Sequence, residues 1–237
     1  MVDFVTRRGA ATLALSATAA SGLILPVRAA EDGEEVSATE DLMREHGVLR
    51  RTLIVFAELA PRLRARREAV DAAALAEAAA LFHAFGADYH ERTLEEQHVF
   101  PEVRRAGGEN ARLVEVLIAQ HQRGREIIDY VQSTARRGRI GTGDAEPLAR
   151  ALEGMARMYE AHASWEDTVI FPAWRKAQPA ARFKEMGERF EELEKQRFGR
   201  DGFDDAVERI TRIERTLGLG DLADYTAPPP PSPVSGR

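Results

Sequence analysis

The chain has 237 residues, enough for one domain of ordinary size with tails, and its net charge of −6 is too mild and too interspersed to indicate nucleic acid as a partner. It has no cysteine, which excludes disulfides, thiolate catalysis, iron–sulfur clusters and Cys-type zinc sites, so any metal must be held by nitrogen and oxygen. Ala, Leu, Glu and Arg dominate, aromatic residues are only 7%, and no run alternates over strand length, so an all-α protein is expected.

Residues 1–30 read as an export signal. Arg7-Arg8 precede a moderately apolar run, residues 10–25, too short to span a bilayer, and small residues near Ala29 and Ala30 offer a cleavage point. The Thr-Arg-Arg-Gly start resembles a twin-arginine (Tat) signal, which predicts export to the periplasm of a folded, cofactor-loaded protein with no stable membrane insertion after cleavage; an ordinary secretory signal or an uncleaved anchor is the alternative.

The next four segments have helical periodicity. The first opens at Ser37 or Thr39, with Glu40 placed for a capping pair, and sets Leu42, His46, Leu49, Leu53, Phe56 and Leu63 on one face. Pro61 should kink or end it. The second, residues 71–105, carries Leu75, Phe82, Phe85 and Tyr89 on one stripe. His83, Gly86 and His90 lie on a neighbouring stripe, where Gly86 leaves space between the imidazoles. After Gly107-Gly108 the third, residues 109–137, aligns Leu113, Leu117, His121, Gly124, Ile128 and Val131. The fourth, residues 144–176, aligns Leu148, Leu152, Met155, Tyr159, His162, Glu166 and Val169. A glutamate on a stripe with Leu and Met is costly to bury unless a cation accompanies it. Two further amphipathic helices follow, with Phe183, Met186, Phe190 and Leu193 on one and Phe203, Val207, Ile210, Ile213 and Leu217 on the other. They suit packing against the bundle or assembly of a homo-oligomer. From Thr226 the Pro-rich tail predicts disorder.

Short loops between four long helices predict an antiparallel up-down-up-down four-helix bundle over residues 37–177, with a helical extension over 178–225 and the tail over 226–237. Each bundle helix contributes an inward histidine: His46, His90, His121 and His162. One histidine on an apolar face is more often a satisfied core residue than a ligand, but four of the chain's six, one per helix, fit a metal shell better. Residues 89–101 (YHERTLEEQHVFP) are echoed at 159–172 (YEAHASWEDTVIFP), as an internal duplication would leave them.

This pattern is His46, then His90 with Glu95-Glu96 and Phe-Pro, then Gln120-His121, then His162 with Glu166-Asp167 and Phe-Pro. It resembles the hemerythrin-like cation-binding (HHE) family over residues 37–176. The resemblance implies a non-haem di-iron centre that meets O2 or related small oxidants. It implies His46, His90, His121, His162, Glu95 and Glu166 as metal ligands. Glu95 departs by lying five residues after His90 instead of four. Either a π-bulge restores its facing, or Glu91, one turn before Glu95, joins or replaces His90 as a ligand. Asp167 is an alternative to Glu166. A second departure is the single histidine of the third helix, which leaves one nitrogen ligand short of an oxygen carrier; His98 or Glu91 fills the gap, or the position stays open for a substrate. His83 reads as an outer or core polar residue, Tyr89 and Tyr159 as packing or, alternatively, as hydrogen-bond partners of the carboxylates, and Trp165 and Trp174 as core.

Three functions fit these residues: binding or sensing of O2, NO or iron; a di-iron redox enzyme that decomposes peroxide or reduces NO; and a bundle stapled by zinc. Iron suits the mixed nitrogen–oxygen shell, with zinc or manganese as alternatives. No Ser-His-Asp triad or phosphate loop is present to support hydrolytic or nucleotide chemistry.

Overall fold

The computed structural model describes residues 36–231, and all the regular structure among them is helical. The predicted export signal, residues 1–30, and the last six residues of the tail lie outside the described residues. Helix α1 (Ala38–Arg66) begins where the Ser37 hydroxyl accepts the Glu40 N–H, the capping expected from the sequence. It runs through Pro61 for five more residues, so that proline does not end it. Its stripe Leu42, Leu49, Leu53, Phe56 and Leu63 is buried, and Glu40 and Asp41 at its start and Arg64 and Arg66 at its end complement the helix dipole.

Asp71 caps α2 (Ala72–Leu81) by accepting the Ala73 and Ala74 N–H groups. The helix continues without a break as a π-helical stretch, Phe82–Val99, and then as α3 (Phe100–Ala106). Gly107 and Gly108, at φ 77° and 74°, make the turn into α4 (Gly108–Ala135). After a loop, α5 (Ala145–Trp165) passes through a second π-helical stretch, Glu166–Ile170, into α6 (Phe171–Lys176).

Both π segments end at a Phe-Pro pair, and in each the Phe N–H bonds the carbonyl of the glutamate five residues back: Phe100 to Glu95, and Phe171 to Glu166. Pro101 and Pro172 have no N–H, and a proline ring crowds the carbonyl four residues earlier, so the α ladder is interrupted there in any case and a wider turn relieves the clash. The wider turn also moves the inner face by one position. Ile170 is fully buried where the α period pointed to Val169, which is half-buried.

α1 packs along α5, and α4 packs against α2, the first π stretch and α5. Leu, Phe and Val side chains from all of them share one core. The last two helices, α7 (Ala180–Phe198) and α8 (Gly202–Leu217), fold onto the same unit. Phe190 stacks on Trp174 at 5.8 Å, and Arg51 of α1 binds Thr211 and Glu214 of α8. Their apolar stripes are thus covered within the chain. Residues 226–231 are exposed and without regular structure. No helix among the described residues is long and apolar enough to cross a membrane.

Candidate metal centre

His46, His90, His121 and His162 meet in the core, each at most 3% exposed, with Glu95 and Glu166 fully buried between them. The rings form two pairs. His46 and His90 have centroids 4.6 Å apart, His121 and His162 4.8 Å apart, and each pair is tilted by 53°. The two carboxylates link the pairs. Glu95 places Oε1 3.3 Å from His90 Nε2 and Oε2 3.3 Å from His121 Nε2. Glu166 Oε2 lies 3.4 Å from His46 Nε2 and 3.0 Å from His162 Nε2. Glu95 reaches this place because the π-helical stretch absorbs the extra residue after His90; the Thr93 hydroxyl, reaching back five residues to the Asp88 carbonyl, marks the widened turn.

The outer nitrogens are as ordered as the inner ones. Nδ1 of His90 bonds Glu45 at 2.5 Å, and that of His46 bonds Asp167 at 2.7 Å. Nδ1 of His121 bonds Glu96 at 2.9 Å, and that of His162 bonds Gln120 at 3.0 Å. Such partners fix the ring orientation and direct every Nε2 inward. Arg50 then holds Asp167 at 2.5 Å, and Arg125 holds Glu96 at 2.9 Å. Phe171 stacks on His46 at 5.4 Å and Phe100 on His121 at 5.5 Å, so each Phe-Pro serves the histidine of the other half. The triplets Glu45, His46, Arg50 and Gln120, His121, Arg125 therefore match in spacing and in role. So do His90, Glu95, Glu96 and His162, Glu166, Asp167, apart from the one-residue offset.

The donors of the centre fit a cation. His90 Nε2 and all four oxygens of Glu95 and Glu166 are buried without a hydrogen-bond partner. Such atoms are expensive to leave alone in a core of Leu and Phe. Glu95, His121, His162 and Glu166 can each offer a ligand atom within 4.8 Å of one another, and so can His46, His90 and Glu95. Burial alone disfavours charge on the imidazoles, yet Asp167 and Glu166 raise the His46 pKa, and Glu95 with Glu45 raises that of His90. For His121 burial is outweighed by Glu91, Glu95 and Glu96, and its pKa is pushed up to about 10. Burial likewise opposes charge on Glu95 and Glu166, but the surrounding imidazoles hold both below the usual carboxylate range. Protons on the imidazoles thus balance part of the carboxylate charge, and a set of nitrogen and carboxylate donors in this array suits metal binding.

The other residues singled out in the sequence are placed differently. Glu91 is buried with a donor on each oxygen, Tyr159 O–H at 2.6 Å and Arg125 at 3.1 Å. It also lies close to His121 and Glu96, but in that cluster Arg125 already supplies the positive charge. Asp167 braces His46 from outside. Tyr159 takes the alternative to simple packing, a hydrogen bond to a carboxylate, and Gly124 is the residue that lets it approach, since a Cβ there would collide with its hydroxyl. Tyr89 packs against Phe85 and Phe198. Gly86 does not space two imidazoles: a Cβ there would press on Leu49 and Phe82, so it admits α1. His83 is at the surface beside Asp88, and His98 packs at 5.8 Å from Phe190; neither takes part in the buried clusters. Trp174 is core, but Trp165 is 52% exposed, against the expectation that it is core. Glu45 escaped notice in the sequence. The signal was the recurrence of Glu-His and Gln-His with an arginine four residues on.

A cavity of about 10 Å3, lined by His46, Arg50, His90, Glu91, Tyr159 and His162, adjoins the centre. It has room for about one water-sized molecule.

Helices that converge histidines and carboxylates on one buried point define a helical metal-site protein. The hemerythrin HHE cation binding domain matches residues 37–174 and again 112–217, so the chain belongs to that family. Uncharacterised proteins of Mycobacterium bovis (strain ATCC BAA-935 / AF2122/97) and of Mycobacterium tuberculosis (strains CDC 1551 / Oshkosh and ATCC 25618 / H37Rv) are each 40% identical to it over 227 residues, 94% of this chain and 88% of theirs. No solved structure matches it.

Proposed function

We propose that this is an exported di-iron protein of the hemerythrin type, an antiparallel up-down-up-down four-helix bundle that would hold two irons among its buried histidines and carboxylates and bind O2, NO or peroxide there. The observation that carries this reading is the bridging geometry: Glu95 spans His90 and His121, and Glu166 spans His46 and His162. His46 and His90 would hold one ion, His121 and His162 the other. Bound there, the pair would supply reversible ligand binding or redox chemistry. The chain itself would exclude bulk water, keep every Nε2 aimed inward, and admit only a molecule of a few atoms through the small cavity. The leader-like residues 1–30 support a periplasmic or otherwise exported location.

A redox enzyme is the second reading, favoured by one observation. The Tyr159 hydroxyl on Glu91 borders the cavity, a proton donor next to the place where a small oxidant would sit. Metal analysis of the mature protein tests the common premise. About two irons per chain are expected, falling below half in His162→Ala and in Glu166→Ala. Full loading of both variants would overturn the assignment. Stoichiometric zinc or manganese in protein from its native host would replace iron, and zinc without redox activity would leave a structural staple. Turnover of peroxide or NO by the loaded protein then separates enzyme from carrier.

A further inference from the structure

The two halves of the centre differ at a pair of arginines. Arg50 follows His46 by four residues, as Arg125 follows His121. Arg125 is 11% exposed and holds Glu96 at 2.9 Å and Glu91 at 3.1 Å, and the Tyr159 hydroxyl holds the other oxygen of Glu91. A buried network thus closes that side of the centre. Arg50 is 31% exposed, and among the described residues its one ion-pair partner is Asp167.

Arg50 is also where the small cavity beside the centre meets solvent. On its inner side the cavity touches His46, His90 and His162. Every lining residue other than Arg50 is at most 5% exposed, so a ligand arriving from solvent has to pass this arginine. At about 10 Å3 the cavity holds about one water-sized molecule and offers no open channel, so passage requires a side chain to move. A guanidinium on a flexible stem, held by a single part-exposed ion pair, is the lining group under the weakest restraint. A second hollow, of about 150 Å3 and walled by Leu113, Val116 and Trp165, lies between α4 and α5 and also reaches His162. There Gln120 holds the outer nitrogen of His162 at 3.0 Å, so that hollow borders the back of the ring and not its inward Nε2.

We propose that Arg50 is the gate of the metal centre: when its guanidinium swings off Asp167, a ligand of a few atoms passes between α1 and α5 into the cavity beside His46, His90 and His162. The proposal rests on the metal-centre reading above, and its test separates the two. Protein loaded with ferrous iron is mixed with NO under anaerobic conditions, the association rate is followed by absorbance, and metal content is measured for each variant. Arg50→Ala should bind NO about two- to fivefold faster, the scale of releasing one part-exposed ion pair. Ala163→Leu, which narrows the passage from the α5 side, should bind it about tenfold more slowly, since entry then waits on a larger opening. Ala161→Leu, which fills the hollow at the back of His162, should leave the rate unchanged. Metal content should match the wild type in every variant. An unchanged or slower rate in Arg50→Ala overturns the gate, and so does slowing by Ala161→Leu equal to that by Ala163→Leu. If Arg50→Ala loses metal and its remaining sites bind NO no faster, this arginine is only a brace of His46 through Asp167, and the gate is overturned. Each of these results leaves the centre standing. Wild-type protein that takes up no iron would overturn both.

Discussion

Between the two halves of the centre the sharpest difference is one side chain. Three of the four outer Nδ1 atoms bond a carboxylate, whereas His162 bonds the neutral amide of Gln120. A carboxylate on the outer nitrogen raises the basicity of the inner one, and loss of such a partner weakens metal binding about 10- to 100-fold. The His46–His90 side is therefore the stronger donor pair. Glu45→Gln removes the difference and should lower the affinity of the first ion bound by about tenfold or more. Gln120→Glu should strengthen the second. Competition titration against a chelator of known affinity measures both. Equal affinities for the two ions in the wild type, or no response to either change, would show that the outer partners do not tune the site.

At the level of the helices, the inner face of each was legible because a 3.6-residue period carries both the core and the ligands. Leu42, His46, Leu49 and Leu53 are buried as a set, as are Leu148, Leu152, Met155, Tyr159, His162 and Glu166. What periodicity could not give was the change of pitch. One extra residue between His90 and Glu95 signalled a π-turn, but its spread over Phe82–Val99 depends on tertiary packing, and so does the shift from Val169 to Ile170. Outer partners were hidden for another reason. Glu45 is an ordinary charged residue in the sequence, Glu96 and Asp167 were visible only as motif neighbours of Glu95 and Glu166, and the crossing of helices is what gives each a histidine to hold.

The contact of α1 with α7 has its own pH dependence. Asp41 and Glu194 have pKa values of about 7 in the fold, above the ordinary 3.8 and 4.5. A carboxyl group with a raised folded pKa leaves stability untouched below its unfolded value and lowers it as pH rises toward 7. Asp41→Asn and Glu194→Gln should therefore leave the metal-free protein unchanged near pH 3.5 and stabilise it at pH 8. Because both groups are partly solvated, the gain is about 1 kcal/mol each, roughly 3 °C in Tm. Thermal melts at the two pH values decide it, and destabilisation at pH 8 would mean that the Arg44 pair on Asp41 and the Phe203 N–H on Glu194 outweigh the cost of burying the two charges.

For the molecule as a whole, metal and protons compete for one buried cavity of negative charge. Without metal, His46, His90 and His121 keep protons above their ordinary pKa of 6.5, His121 up to about 10. Their contribution to the stability of the metal-free chain is complete below pH 6.5 and is lost as pH rises through the folded values. The loaded chain needs these imidazoles neutral, so each proton displaced adds about 1.4 kcal/mol of metal affinity per pH unit. Loaded and metal-free protein should consequently diverge in Tm between about pH 6 and pH 9, the metal-free form falling and the loaded form holding. Acid should release the metal before it unfolds the helices, since the Leu and Phe core around the site does not titrate. Melting both forms across this range, with metal content measured at each pH, tests the competition directly. A gap that narrows with rising pH would mean that the imidazoles are neutral before the metal arrives, and that protons do not occupy its place.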